Sequence, residues 1–157
     1  MGMQNRLDID TRPFILESLP SCKRIDKAII LTDGARATPL LSRTLMAKIA
    51  ATGKWVPFTD VAAVDGTAKP AGIYDPEGSL GDIAAADIVA GDVIDVPIII
   101  FGALFDDSKL VIENALTLST IIATGTIQAE TVADALMKIS LIPQSAISGS
   151  SPENPAV

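Results

Sequence analysis

Histidine is absent from this chain, and cysteine, tryptophan and tyrosine each occur once. The missing imidazole removes the Ser-His-Asp and Cys-His devices, because each needs that ring to move the proton. Cys22 alone, with no His, can build neither a tetrahedral zinc site nor an internal disulfide. Its plain reading is a small, half-buried side chain. No lysine has a serine three residues before it, which removes the common Ser-Lys arrangement. Gly53-Lys54 resembles the end of a phosphate loop. However, Lys48 stands where the first glycine should be, and Trp55 stands where Ser or Thr should ligate magnesium. No G-x-G-x-x-G run occurs.

Basic residues are also scarce. Twelve Lys and Arg face nineteen Asp and Glu, for a net charge of −7, and the twelve are scattered. Phosphate backbones and anionic lipid surfaces both require clustered cations, so neither nucleic acid nor membrane is an expected partner. The longest apolar run, Val96 to Phe105, contains Pro97 and Gly102 and is too short to span a bilayer. The opening MGMQNRLDIDTRPF carries charges where a secretory leader has its apolar core, so no leader is expected.

Aliphatic residues are abundant. Hydrophobic residues make up 48% of the chain while aromatics make up 4%, so the apolar content is Ala, Ile, Leu and Val. With a mean hydropathy of +0.41, that content implies a well-filled core, apolar surface covered in an assembly, or both. At 157 residues the chain needs neither disulfide nor metal to fold. Asp82, Asp87, Asp92, Asp95 and the Asp106-Asp107 pair are the remaining chemical resource. Their spacing does not match an EF-hand loop, and they read as solvated turn formers. No cofactor or metal is expected.

Turn chemistry divides the middle of the chain. Thr52-Gly53, Asp65-Gly66, Pro76-Glu77-Gly78 and Gly91-Asp92 separate short runs rich in Val, Ile and Phe. Residues 28–32 predict a strand. Residues 45–50 and 55–59 predict a hairpin around Ala51-Thr52-Gly53. Residues 72–74 predict a short strand, 93–105 a longer one broken or bulged at Pro97, and 109–112 a return strand. Residues 79–91 are ambiguous. Val132, Leu136 and Ile139 fall at helical spacing, with Thr131 as N-cap and Asp134 completing a capping box. Ile142-Pro143 should end that helix. Residues 1–27 predict an N-terminal arm, since Pro13 and Pro20 oppose regular structure. The body is expected over 28–148, with a flexible Ser- and Pro-rich tail at 149–157. The fold class is α+β, mainly β: a small barrel-like body of hairpins with one short C-terminal helix and an extended arm. Trp55 reads as an anchor in the core or at a subunit contact.

A polar arm precedes a β body holding GKWVPF and AGIYD, then a Gly-Asp turn, VIDVPIIIFGALF and a short helix. This order resembles the head decoration proteins of tailed bacteriophages, the lambda protein D family. The resemblance covers roughly residues 36–148 and rests on pattern and short matches such as Gly72-Ile73. It implies a non-enzymatic cement protein, bound as homotrimers at local three-fold sites on the outside of an expanded capsid. Its partners would be the major capsid protein and its own copies. The arm would add to a capsid strand, which makes Ile9, Arg12, Phe14, Ile15 and Leu16 the candidate contacts, with Trp55 between protomers. The alternatives are another structural virion component, or a small β-barrel module for ligand binding or accessory use. This chain departs from the smallest members in its longer arm and its Ser/Pro tail.

Overall fold

The computed structural model describes residues 14–75, 81–122 and 129–148. Five strands close a barrel: β1 (Ile15–Ile30), β3 (Trp55–Pro57), β2 (Leu45–Lys48), β4 (Gly72–Tyr74) and β5 (Val93–Phe105), in that spatial order, with β5 returning to pair with β1. The predicted hairpin is present as antiparallel β2–β3, with Met46 opposite Pro57 and Lys48 opposite Trp55. Gly53, at φ +70°, supplies the left-handed turn residue between them. β4 and β5 have the predicted bounds. β5 pairs with β1 along one edge. Its other edge takes β4 at Ile98 and Ile99, then β8 (Leu141–Pro143) in parallel at Ala103 to Phe105.

β1 corrects the arm prediction. Residues 15–27 belong to a sixteen-residue strand, antiparallel to β5 from Ile15 opposite Phe105 to Ile30 opposite Val93. Pro20 is accommodated by a wide bulge. Between the Ser18–Ala103 and Lys23–Phe101 pairs, β1 advances five residues while β5 advances two. Within such a bulge a ladder N–H is not required. Gly102 lies opposite with φ +77°, and a Cβ there would come within 2.9 Å of the Cys22 Cα. Pro97 is absorbed in the same way, beside another of the five register shifts along this pair, between Ile25 and Ala28.

Strand alternation sorts the core into two clusters. Ala28, Ile30, Met46, Trp55, Tyr74, Val96 and Ile98 include a member from every barrel strand and fill the interior. Leu40, Ile83 and Ile88 of α1 (Ala85–Ala90) join them. The alternate residues Leu45, Ala47, Ile73, Ile99, Ala103 and Phe105 face outward. They are covered by Phe14, Phe58, Ile122 and Leu141, and by Val132, Ala135 and Leu136 of α2 (Val132–Lys138). α2 has the predicted capping box: the Thr131 hydroxyl accepts from the Asp134 N–H, and the Asp134 carboxylate accepts from the Thr131 N–H.

The predicted return strand at 109–112 does not form. A 3-10 turn, Asp107–Lys109, precedes a single bridge between Val111 and Thr44. Ile142-Pro143 lies in β8 rather than only ending a helix, and α3 (Gln144–Ser148) follows. A two-stranded ladder pairs β6 (Ile121–Ile122) with β7 (Glu130–Thr131). The described residues form three short α-helices where one was expected. The mainly β architecture stands. The proposed tail at 149–157 and the Pro76-Glu77-Gly78 turn lie outside the described residues.

Candidate functional site

Of the predicted contact residues, Ile9 and Arg12 lie outside the described residues. Phe14 is buried, its ring 5.5 Å from that of Phe105 and under the Arg43 guanidinium at 5.7 Å. Its C=O accepts from the Asp106 N–H at 2.9 Å. Ile15 is half-buried against the outer cluster, and Leu16 is half-buried beside it in β1. Trp55 is 3% exposed inside the barrel, with the Lys48 ammonium 5.7 Å from its ring. Its place is the core, so its role as a contact between protomers is corrected: the indole fills the lumen that five strands enclose. The structure therefore brings Phe14, Ile15 and Leu16 together at one end of β1 and sets Trp55 apart.

The exposed large apolar side chains among the described residues are aliphatic and scattered. Ile94 (64%), Ile121 (57%) and Ile147 (52%) are the most exposed large apolar side chains after Val64. β1 adds a backbone feature. One edge is paired with β5, whereas among the described strands the other meets only β3, at Ile30 opposite Trp55. Pro20, Lys23 and Lys27 on that strand, together with its bulge, are features that protect an edge from indiscriminate pairing.

No family model, curated protein or solved structure matches this chain.

The barrel seam between β1 and β3 has a geometry that sequence reading missed. The two strands are parallel, and the Leu31 N–H donates to the Trp55 C=O at 2.9 Å. The next rung of a parallel ladder would run from the N–H of residue 57 to the Leu31 C=O. Residue 57 is proline and has no N–H. Beyond this point the chain turns away: the Thr32 N–H donates to Asp92 Oδ1 at 2.9 Å, and the Asp33 N–H to the Ile88 C=O at 3.2 Å. A cleft of about 330 Å³ opens where the strands diverge, walled by Ile30, Leu40, Val56 and Ile88.

Arg36 lines this cleft and holds the loop after β1 in place. Its Nη2 donates to Glu113 Oε1 at 2.6 Å and to the Pro39 C=O at 3.2 Å. The side chain is only 7% exposed, and its Nε has no acceptor among the described residues. Asp92, at the corner after α1, is held below the usual carboxylate range by its hydrogen bond from Lys54, and then by that from Thr32. A Pro at the third position of a strand that would otherwise pair on both sides is the one sequence signal for this opening.

Proposed function

We propose that this chain is a capsid decoration protein, binding as trimers at local three-fold sites outside an expanded phage head and cementing neighbouring capsid subunits. The observation that carries the reading is that the barrel is full. Met46, Tyr74 and Ile98 have no exposed surface, and Trp55, Val96 and Ile30 have almost none. A lumen so occupied leaves no space for a metabolite, so recognition falls to the outside. There the exposed isoleucines and the outer edge of β1 offer contact area and backbone groups. A cement protein needs such surfaces rather than a reaction centre, and many weak copies reach strong attachment through multivalency. The net charge of −7 repels packaged DNA and keeps the free protein soluble. The order of elements resembling the decoration family supplies the remaining support.

Co-sedimentation with expanded capsid shells stripped of decoration tests this proposal. Saturable binding at the copy number of the three-fold sites, and weaker binding to unexpanded shells, is the expected result. Absence of binding to either shell overturns it.

A further inference from the structure

One end of the barrel, where β1 and β4 finish and β2 and β5 begin, is closed by residues 81–92, the segment that carries α1. We propose that this segment is a plug that opens as a unit while the five strands stay paired, uncovering the lumen around Trp55 and Tyr74. The inference rests on the barrel interior and is independent of the decoration reading.

Four observations carry it. First, little apolar surface seats the segment. Of its twelve residues only Ile83 and Ile88 are buried, and both join the interior cluster with Leu40, Trp55 and Tyr74. Second, α1 does not support itself. It has six residues, and no side chain caps its N-terminus, whereas helices shorter than about 12–15 residues are marginal in water without packing. Third, its fastenings run mainly to the loop between β1 and β2. Ile83 and Leu40 exchange two backbone bonds of 2.9 Å, in a bridge outside the barrel strands. The Ile88 C=O accepts from the Asp33 N–H at 3.2 Å and from the Thr32 hydroxyl at 2.8 Å. Asp82 Oδ1 accepts from the Ser42 N–H at 2.7 Å, and Asp92 Oδ1 from the Thr32 N–H at 2.9 Å. One further bond, from the Tyr74 hydroxyl to the Gly81 C=O at 2.7 Å, ties the segment to β4. These bonds can break with the strand ladders intact. Fourth, glycines stand near both ends. At Gly81 and at Gly91 nothing lies within 4 Å of the Cβ position, so the backbone has room to turn. Segments with few buried apolar contacts open at lower free energy than the core they cover.

The test is native-state hydrogen exchange on the full chain. The amides of Asp33, Leu40 and Ile83 are held by bonds between the plug and its loop. They should exchange through one common opening, with protection at least about tenfold below that of Phe58, Ala71 and Asp106, which bond to Leu45, Met46 and Phe14. Two matched substitutions separate the plug from the barrel. Ile88→Val weakens the plug's seat and should speed exchange of all three plug amides by about two- to tenfold. Ile122→Val lies in the outer cluster, which stays packed when the plug opens. It should speed the second set by a similar factor and leave the first unchanged. Ile88→Asp should hold the plug open, so that Trp55, the only tryptophan, is quenched by acrylamide while Phe58 and Asp106 remain protected. Four results overturn the proposal: independent exchange of the three plug amides, protection equal to that of the second set, acceleration of the plug amides by Ile122→Val, or loss of all protection in Ile88→Asp.

Discussion

Gly102 shows how much of this fold rests on single residues. Its φ of +77° lies where side chains are rarely tolerated, and a Cβ would meet the Cys22 Cα at 2.9 Å and the Cys22 N at 3.0 Å. Both are backbone atoms of the β1 bulge, so no side chain can swing away to make room. Gly102→Ala should therefore destabilise the protein by about 1–3 kcal/mol, read as a lower urea midpoint at unchanged m-value. Gly34 is the internal control. Nothing lies within 4 Å of its Cβ position, and Gly34→Ala should be neutral or slightly stabilising through the unfolded chain. Equal losses at the two sites would refute the steric account. The sequence shows both glycines but not the difference between them. Asp33-Gly34 announces a turn locally, whereas the crowding at Gly102 depends on a residue eighty positions earlier in the chain.

The elements divide along the same line. β2, β3, β4 and β5 are legible because each is a short, largely apolar run bounded by its own turn residues. α2 is legible because Thr131 and Asp134 cap it within a single turn. Thr131→Ala removes both bonds of the Thr131 hydroxyl, leaves the Asp134 carboxylate on the residue 131 N–H, and should cost about 0.5–2 kcal/mol in thermal or denaturant unfolding. β8 and residues 15–27 of β1 were not legible, whereas the end of β1 lies within the predicted strand at 28–32. Both derive their strand character from pairing with β5, and Pro20 and Pro143 argue locally against it. The ladder around Glu130 adds a pH signature. Its buried carboxylate takes Lys138 Nζ at 2.8 Å and Lys69 Nζ at 3.4 Å, joining β7, α2 and the loop before β4. The Lys138 hydrogen bond, reinforced by the charges of Lys69 and Lys138, holds the Glu130 pKa below its ordinary value. A lowered folded-state pKa means that the contribution is complete above the ordinary glutamate range and is lost as pH falls through the folded value. Wild-type stability should therefore drop between about pH 5 and pH 3, and Glu130→Gln should flatten that slope. Asp134, lowered by its bonds from Thr131, titrates in the same direction, so the slope should shrink rather than vanish. An unchanged slope in the variant would remove Glu130 from the account.

At the scale of the whole molecule, β1 decides whether the N-terminal region is an appendage or part of the body. It pairs along β5 from Val93 to Phe105 and brings Ile15, Cys22 and Ile25 against the two core clusters, with Phe14 just before it. A chain beginning at Ala28 would retain three residues of this strand. It would leave one edge of Pro97–Phe105 without its partner, a long apolar edge that invites pairing with other chains. Such a chain should fail to unfold cooperatively and should aggregate on size exclusion. A chain beginning at Phe14 keeps every described contact and should retain a thermal midpoint within about 3 °C of the full protein. If the chain beginning at Ala28 is monomeric and melts cooperatively, β1 is dispensable and the arm boundary near residue 27 is the better description. The same pair separates folding from attachment. If the decoration reading holds and residues 1–13 supply the capsid strand, the chain beginning at Phe14 stays folded yet no longer co-sediments with expanded shells. If it co-sediments undiminished, the contacts lie on the barrel itself, and Ile94, Ile121 and the outer edge of β1 become the surfaces to substitute.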